Sequence, residues 1–365
     1  MKKIAVFSNM YPSAEHPTYG IFVKNQVELL RNSGVSVDVK AIDNPKGGKV
    51  QGLLKYGKWL TGSLFYLLGN RRKLELTHAH YAFPTGVLSL MGKRMFKIPY
   101  VVTVHGGDID KMAKKNAKIA SMTKTILQEA AHVVTVGERL KQELVENFGV
   151  AKNSATVMSM GVDRTVFYPM ERAEVRTKLG LQETQPVVLF IGNLIREKGV
   201  LELIQAFDSI HKTVPTASLH LIGSHKSAGF VEEVKKMIAS RQLEGIHLEG
   251  TKTQQELAQW LAAADVLALP SYHEGFGLVA LEAMASGTPV VASDVGGLTY
   301  LLADGAGVLV PPKDAEALAA GLLQVLSSET TAADDEKRKK LVHEHSYEMI
   351  VKKLLEIYED AAKTR

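Results

Sequence analysis

Short runs rich in Val, Ile and Leu alternate with amphipathic stretches of helical length along the whole chain. KIAVFS is followed by GIFVKNQVELLRNSG and then VSVDVKAI, and LTHAH, a helix from about Pro84, YVVTVH and AHVVTV continue the alternation. The apolar runs are continuous rather than two-periodic, which predicts parallel strands covered by helices on both faces. After Tyr168 and Pro169 the pattern restarts with PVVLFIGNL, SLHLIGS, IHLEG, DVLALP, TPVVAS and GVLVP. The prediction is therefore α/β, with two Rossmann-like doubly wound domains over residues 1–165 and 166–345. MGVDRTVFYPMERAEV is the connection, and the boundary falls near residue 165. The last stretch, 346–365, reads as an amphipathic helix with no strand after it. Either domain can receive it, and the N-terminal one is its candidate. Ligands of open parallel sheets bind outside the carboxyl ends of the strands, so two such sheets facing each other predict a ligand cleft between the domains.

With 365 residues, 45% of them hydrophobic, the chain is long enough to bury two cores. The absence of cysteine excludes disulfides, thiolate zinc sites and a cysteine nucleophile. The N-terminal MKKIAVFSNMYPSAEHP has an apolar run too short for a secretory signal. The most apolar long window, Val50 to Gly69, is broken by Lys55 and Lys58 and falls short of a membrane span. A cytoplasmic location is expected. The net charge of +5 is unevenly spread: residues 1–165 hold 24 Lys plus Arg against 12 Asp plus Glu, a net +12, and the remainder is −7. A basic first half predicts anionic partners, whether phospholipid, lipid phosphate or nucleic acid.

The densest candidate chemistry is EGFGLVALEAMASG. Its glycines, Gly275 and Gly277, form a loop that runs into a helix starting near Gly277, and the free N–H groups and dipole of such a terminus attract phosphate. Glu274 lies in the loop and Glu282 inside the helix, too far apart to share one proton. Each carboxylate can instead accept hydroxyls, Glu282 from a ribose diol and Glu274 from a sugar, on either side of a diphosphate. Gly-rich strand-to-helix turns with exposed glutamates are also common in α/β proteins generally. GNLIREKGV adds Arg196 and Lys198 in a second strand-to-helix loop, where fixed positive charge stabilises a departing diphosphate. Taken singly, either cation reads as a solvated loop residue.

In the first domain, HGGD places His105 at a strand end beside glycines that allow close approach, and Asp108 follows. HAHY sets His78 and His80 on one face of a strand, as a zinc site would, but with no third ligand nearby no metal is expected. Asp108-Ile-Asp110 is a D-x-D triplet of the sort that holds a divalent metal in an unrelated class of sugar transferases, and it is read as incidental. Gly20 begins a helix after a polar loop, either as a turn or as a point of close approach to a ligand.

Together, GNLIREKG, EGFGLVALEAMASGTPVVASDVGG and AGVLVPPKDAEAL resemble the retaining glycosyltransferases of family 4, which have the GT-B fold. GIFVKNQ, VHGGD and the linker MGVDRTVFYP extend the resemblance over nearly the whole chain. The resemblance implies Glu282 at the nucleotide ribose and Glu274 at the donor sugar. It implies the backbone amides of Phe276, Gly277, Leu278 and Val279 at sugar hydroxyls and phosphate, Lys198 at phosphate, His105 beside the sugar and Gly20 near the diphosphate. His80 and Asp108 are assigned to the acceptor side. Two positions depart from the family: Asn193 stands where arginine usually follows the glycine, with Arg196 the candidate substitute, and Ser159 and Met160 stand where Pro and Asn are frequent.

The implied reaction moves a sugar from a nucleotide diphosphate donor, UDP on family frequency, to a hydroxyl acceptor with retention and without cofactor or metal. Lys111, Lys114, Lys115 and Lys118 at helical spacing, and Trp59, Phe65 and Tyr66 among Lys55, Lys58, Arg71, Arg72 and Lys73, suit an anionic membrane surface presenting a lipid-linked or cell-envelope acceptor. A solvated basic face with a buried helix explains the same residues. A non-catalytic sugar-nucleotide or glycan binding protein of the same fold is the rival reading. Nucleic-acid binding lacks any recognition motif, and a dehydrogenase lacks G-x-G-x-x-G after the first strand.

Overall fold

The computed structural model describes residues 3–16, 19–45, 49–225, 227–328 and 332–365. The chain divides into two compact units, Met1–Met160 with Tyr347–Arg365, and Gly161–Ser346.

The first unit is built from β1 (Lys3–Ser8), α1 (Ile21–Asn32), β2 (Ser36–Ala41), α2 (Lys49–Asn70), β3 (Leu74–His80), α3 (Gly86–Phe96), β4 (Tyr100–Val104), α4 (Ala117–Glu129), β5 (His132–Thr135), α5 (Glu138–Phe148) and β6 (Ala155–Val157). Its six strands are parallel in the order β2-β1-β3-β4-β5-β6. The strands are almost wholly buried because helices cover both faces, which explains why they read as continuous apolar runs. α1 buries Val23, Val27 and Leu30 at helical spacing against β1 and β2. Between β4 and α4 the chain forms a π-helical turn, Asp108–Ala113. Lys111 lies in that turn, Lys114 at its end and Lys118 on α4, whose N-cap is Asn116. The four lysines expected at helical spacing therefore do not share one helix.

The second unit contains α6 (Arg172–Leu179), β7 (Val187–Ile191), α7 (Val200–Thr213), β8 (Ser218–Ile222), α8 (Ala228–Ser240), β9 (Ile246–Gly250), α9 (Gln254–Ala263), β10 (Val266–Leu269), α10 (Leu278–Ala285), β11 (Val290–Ser293), α11 (Gly297–Leu301), β12 (Val308–Val310), α12 (Ala315–Ser327) and α13 (Ala332–Glu344). Its parallel sheet runs β12-β11-β10-β7-β8-β9. The core joins Val188, Phe190, Phe207, Leu219 and Leu221 to Leu318 and Leu322 of α12. Arg176, 3% exposed, links helix to sheet: its guanidinium donates to the Ala263 carbonyl at 2.9 Å and to Asp265 at 2.7 Å, and Asp265 accepts the Val187 amide at 2.7 Å. Charge pairing and backbone satisfaction there offset the cost of burying a guanidinium.

The last helix, α14 (Tyr347–Ala362), packs in the first unit, against α1, β3 and β4. Ile350, Leu354, Tyr358 and Ala361 enter the core beside Leu76 and Val101. The fully buried Tyr358 hydroxyl lies 2.6 Å from His78 Nδ1, and His78 Nε2 lies 2.8 Å from Thr103 Oγ1. This satisfies both nitrogens of an imidazole that burial holds neutral, with its pKa down at about 3. Tyr358→Phe would strand His78 Nδ1 and is expected to cost about 1–3 kcal/mol, read as a lower urea midpoint. An unchanged midpoint would show that the bond does not anchor the helix.

Candidate functional site

In the second sheet β7 and β10 are neighbours, with β8 and β9 on one side and β11 and β12 on the other. Strand order therefore reverses between β7 and β10, and a parallel sheet binds ligands at such a switch point, beyond its carboxyl ends. The two motif loops leave the sheet there. GNLIREKG follows β7, with Arg196–Lys198 in a 3-10 turn, and EGFG follows β10 and leads into α10.

Side chains and backbone draw the loops together. Lys198 Nζ lies 2.6 Å from Glu274 Oε2, with both side chains about three-quarters buried. The Tyr272 amide donates to the Glu197 carbonyl at 2.9 Å, and the Tyr272 hydroxyl to Glu202 at 2.6 Å. Behind EGFG, the Gly297 amide donates to the Glu274 carbonyl at 3.3 Å. A Cβ at Gly297 would collide with the Phe276 backbone, which explains the glycine pair of DVGG.

Gly277 is the N-cap of α10, at φ 94°. The first helical amides, those of Leu278 and Val279, have no intrahelical acceptor and are available to an anion. The Gly275 amide donates to Glu274 Oε1 at 3.2 Å. Phe276 is 5% exposed, and its ring packs edge-on against His345. Asn193 lies exposed in the β7 loop. Glu282, on α10, receives no hydrogen bond or ion pair among the described residues. Burial pushes its carboxyl up to about 8.

The sequence reading missed the Lys198–Glu274 pair, since residues so distant in the chain carry no joint signal. It also placed both loop cations at the diphosphate, and the structure separates them. Arg196 is exposed and donates to both carboxylate oxygens of Glu233 on α8 at 2.5 Å, with its guanidinium over the Phe230 ring. Lys198 alone of the two turns to EGFG.

The first sheet reverses between β1 and β3, and the loops after β1, β3 and β4 carry its candidates. Gly20 is the N-cap of α1 at φ 72°, and a Cβ there would stand 2.6 Å from the Met10 carbonyl carbon, so the close approach serves the protein's own backbone. The His105 ring packs at a tilt against Phe22 and Tyr81, with ring centroids at 4.9 and 4.6 Å, and its Nε2 lies 3.2 Å from His80 Nδ1. Burial lowers the His105 pKa to about 3, so the ring is neutral at physiological pH.

His80 and Asp108 do not face outward as the acceptor-side assignment requires. His80 is wholly buried behind His105. Asp108, 1% exposed, accepts the Ala82 amide at 2.8 Å and the His105 amide at 3.2 Å. Desolvation raises its pKa to about 6. Both residues fix the loop that carries His105. The side chain of Asp110 lies outside the described residues. Among the described residues no three His, Asp or Glu group as metal ligands, and no helix is long and apolar enough to cross a membrane.

Two family models match adjoining parts of the chain: "Glycosyltransferase Family 4" over residues 22–166 and "Glycosyl transferases group 1" over residues 171–345. The chain is 28% identical to TuaC of Bacillus subtilis, a glycosyltransferase named for teichuronic acid biosynthesis, over 87% of each chain. It is 31% identical to a D-inositol 3-phosphate glycosyltransferase of Arthrobacter sp., over 75% of this chain and 67% of that one. Among solved structures, sucrose-phosphate synthase of Thermosynechococcus elongatus superposes with a TM-score of 0.82 at 23% identity, over the full length of both. Anabaena HepE, solved with UDP and glucose, superposes with a TM-score of 0.76 at 19% identity, over 98% of this chain and all of the other. The switch-point loops, a six-stranded parallel sheet in each unit and these matches agree: the chain is a glycosyltransferase and belongs to family 4, with the GT-B fold.

Proposed function

We propose that this glycosyltransferase takes its sugar from a nucleotide diphosphate donor bound at the β7–β10 switch point and transfers it with retention of anomeric configuration. The observation that carries the donor reading is the convergence of a helix N-terminus, a lysine and an unpartnered carboxyl: the first amides of α10, Lys198 at 2.6 Å from Glu274, and Glu282 with no donor of its own. The diphosphate takes the amides and displaces Glu274 from Lys198. Glu274 then accepts hydroxyls of the sugar, and Glu282 accepts the ribose diol. HepE was solved with UDP and with UDP-glucose, which supports UDP as the nucleotide here.

In the transfer step the bond between the anomeric carbon and the phosphate oxygen breaks, and its electron pair leaves with the diphosphate. The acceptor hydroxyl oxygen bonds to the anomeric carbon on the same face and passes its proton to the departing phosphate oxygen. The amides and Lys198 meet the developing charge, so the reading requires no metal ion. The neutral His105 can offer a ligand of the first unit a hydrogen bond rather than a charge.

The acceptor side is read as a lipid-linked or cell-envelope glycan precursor at an anionic membrane surface, in line with the TuaC name. α2 has no acidic residue and exposes Val50, Leu53, Leu54, Phe65 and Leu68, with Lys55, Lys58, Arg71, Arg72 and Lys73 in the same segment. Trp59 and Tyr66, expected at that surface, are instead tied to β2, donating to the Lys40 carbonyl at 3.0 Å and to Asp38 at 2.6 Å.

Lys198→Ala is expected to lower kcat about 100-fold or more with little change in unfolding temperature, and unchanged turnover would remove the phosphate clamp. A ribose diol favours the ionised form of Glu282, whose pKa starts near 8. UDP binding should therefore release a proton and tighten as pH rises from 7 towards 8, and calorimetry in two buffers should show Glu282→Gln doing neither. A pH-independent wild type would contradict the ribose role. Sedimentation with phosphatidylglycerol vesicles should pellet the wild type at low salt and leave a Leu53→Ser, Phe65→Ser variant in the supernatant. Equal partitioning of the two would refute the membrane surface.

A further inference from the structure

At the opposite edge of the second sheet, where β11 and β12 begin, a cavity of about 260 Å³ opens between Pro289 and Val290, the Gly305–Gly307 backbone, and α12 and α13. Arg338 of α13 lines it. The residue is only 6% exposed, yet among the described residues no hydrogen bond or ion pair reaches its guanidinium. The contrast lies in the same unit: the other buried arginine, Arg176, is met by Asp265 and by backbone carbonyls. Its nitrogens are not among the side-chain atoms sealed from solvent without a partner, so the charged head keeps access to the cavity, although buried charges are ordinarily paired. Arg338 thus presents five donors, in a planar fork that fits an oxyanion, to an open space.

Three other polar groups share the walls. Asp334 stands one turn earlier on α13, and Gln324 and Ser328 line the α12 side. The volume lies just under the roughly 300 Å³ at which small-molecule pockets begin, which restricts an occupant to a small molecule. EGFG leaves the carboxyl end of β10, whereas this cavity lies at the amino ends of β11 and β12. All three strands are parallel, so the cavity is distinct from the donor loops.

We infer that this cavity is a second binding site, in which Arg338 grips a phosphate group. The group is free or carried on a small hydroxylated molecule whose hydroxyls Asp334 and Gln324 accept. Asp334 opposes a bare dianion and gains from a hydroxyl, so an ester should bind more tightly than the free ion.

Calorimetry of the full chain without nucleotide, using glucose 6-phosphate and inorganic phosphate as separate probes, tests this. Wild type and Lys198→Ala should bind the ester equally, and Arg338→Met should lose about 10- to 100-fold in affinity, as expected for a lost charge-assisted contact. Ser328→Glu, a change at an exposed rim position, should weaken binding in the same direction and keeps the test decisive if Arg338→Met fails to fold. Comparable affinity for inorganic phosphate would identify the free ion as the occupant. No binding of either probe, binding lost in Lys198→Ala instead, or binding retained in both cavity variants would overturn the site.

Discussion

The ion pair between Lys198 and Glu274 spans the two loops at the switch point of the second sheet, and the proposed donor site is built around it. Both side chains keep about a quarter of their surface, so the pair is worth on the order of 1 kcal/mol. That is too little to hold two loops together. Backbone does the holding, through the Tyr272 amide on the Glu197 carbonyl, while Gly297, after β11, packs behind EGFG. The pair instead keeps a positive charge on the loop that leads into α10, and in the proposed reading it is weak enough to be exchanged for a diphosphate. A stronger, fully buried pair would resist that exchange.

The first unit solves a different problem. His78, His80 and His105 lie in one row, the first two wholly buried and the third half-buried, and three charged imidazoles there would repel one another. Desolvation keeps each neutral, so the row acts through hydrogen bonds: His78 between Tyr358 and Thr103, His80 against His105. Asp108 closes the loop from the other side by accepting the His105 amide. Because Tyr358 arrives on α14, the last helix of the chain supports the strand end from which the candidate sugar-facing histidine is presented.

Most of the fold was legible because a parallel strand covered on both faces leaves a continuous apolar run. KIAVFS, YVVTVH, PVVLFI and TPVVAS each correspond to a strand, and the helix expected near Gly277 begins there. β6 has only three residues, Ala155–Val157, too short for any periodicity, and it went unread. The π-helical turn at Asp108 was equally invisible, since backbone geometry there is set by what the Asp108 carboxylate caps and not by local propensity. For the site, residue types and their loops were legible, but the directions of side chains were not. Both Arg196 and Lys198 read as cations of one loop, and it is Glu233 and Phe230 on α8 that draw Arg196 away. His80 and Asp108 looked like ligand groups because polar residues at strand ends often are, whereas here their partners are the protein's own backbone and ring atoms.

A crystal structure of the chain with an intact UDP-sugar tests the central claim most directly. The account predicts the diphosphate on the amides of Leu278 and Val279, Lys198 moved from Glu274 to a phosphate oxygen, and the ribose diol on Glu282. A nucleotide bound elsewhere, with the Lys198–Glu274 pair intact, would contradict it.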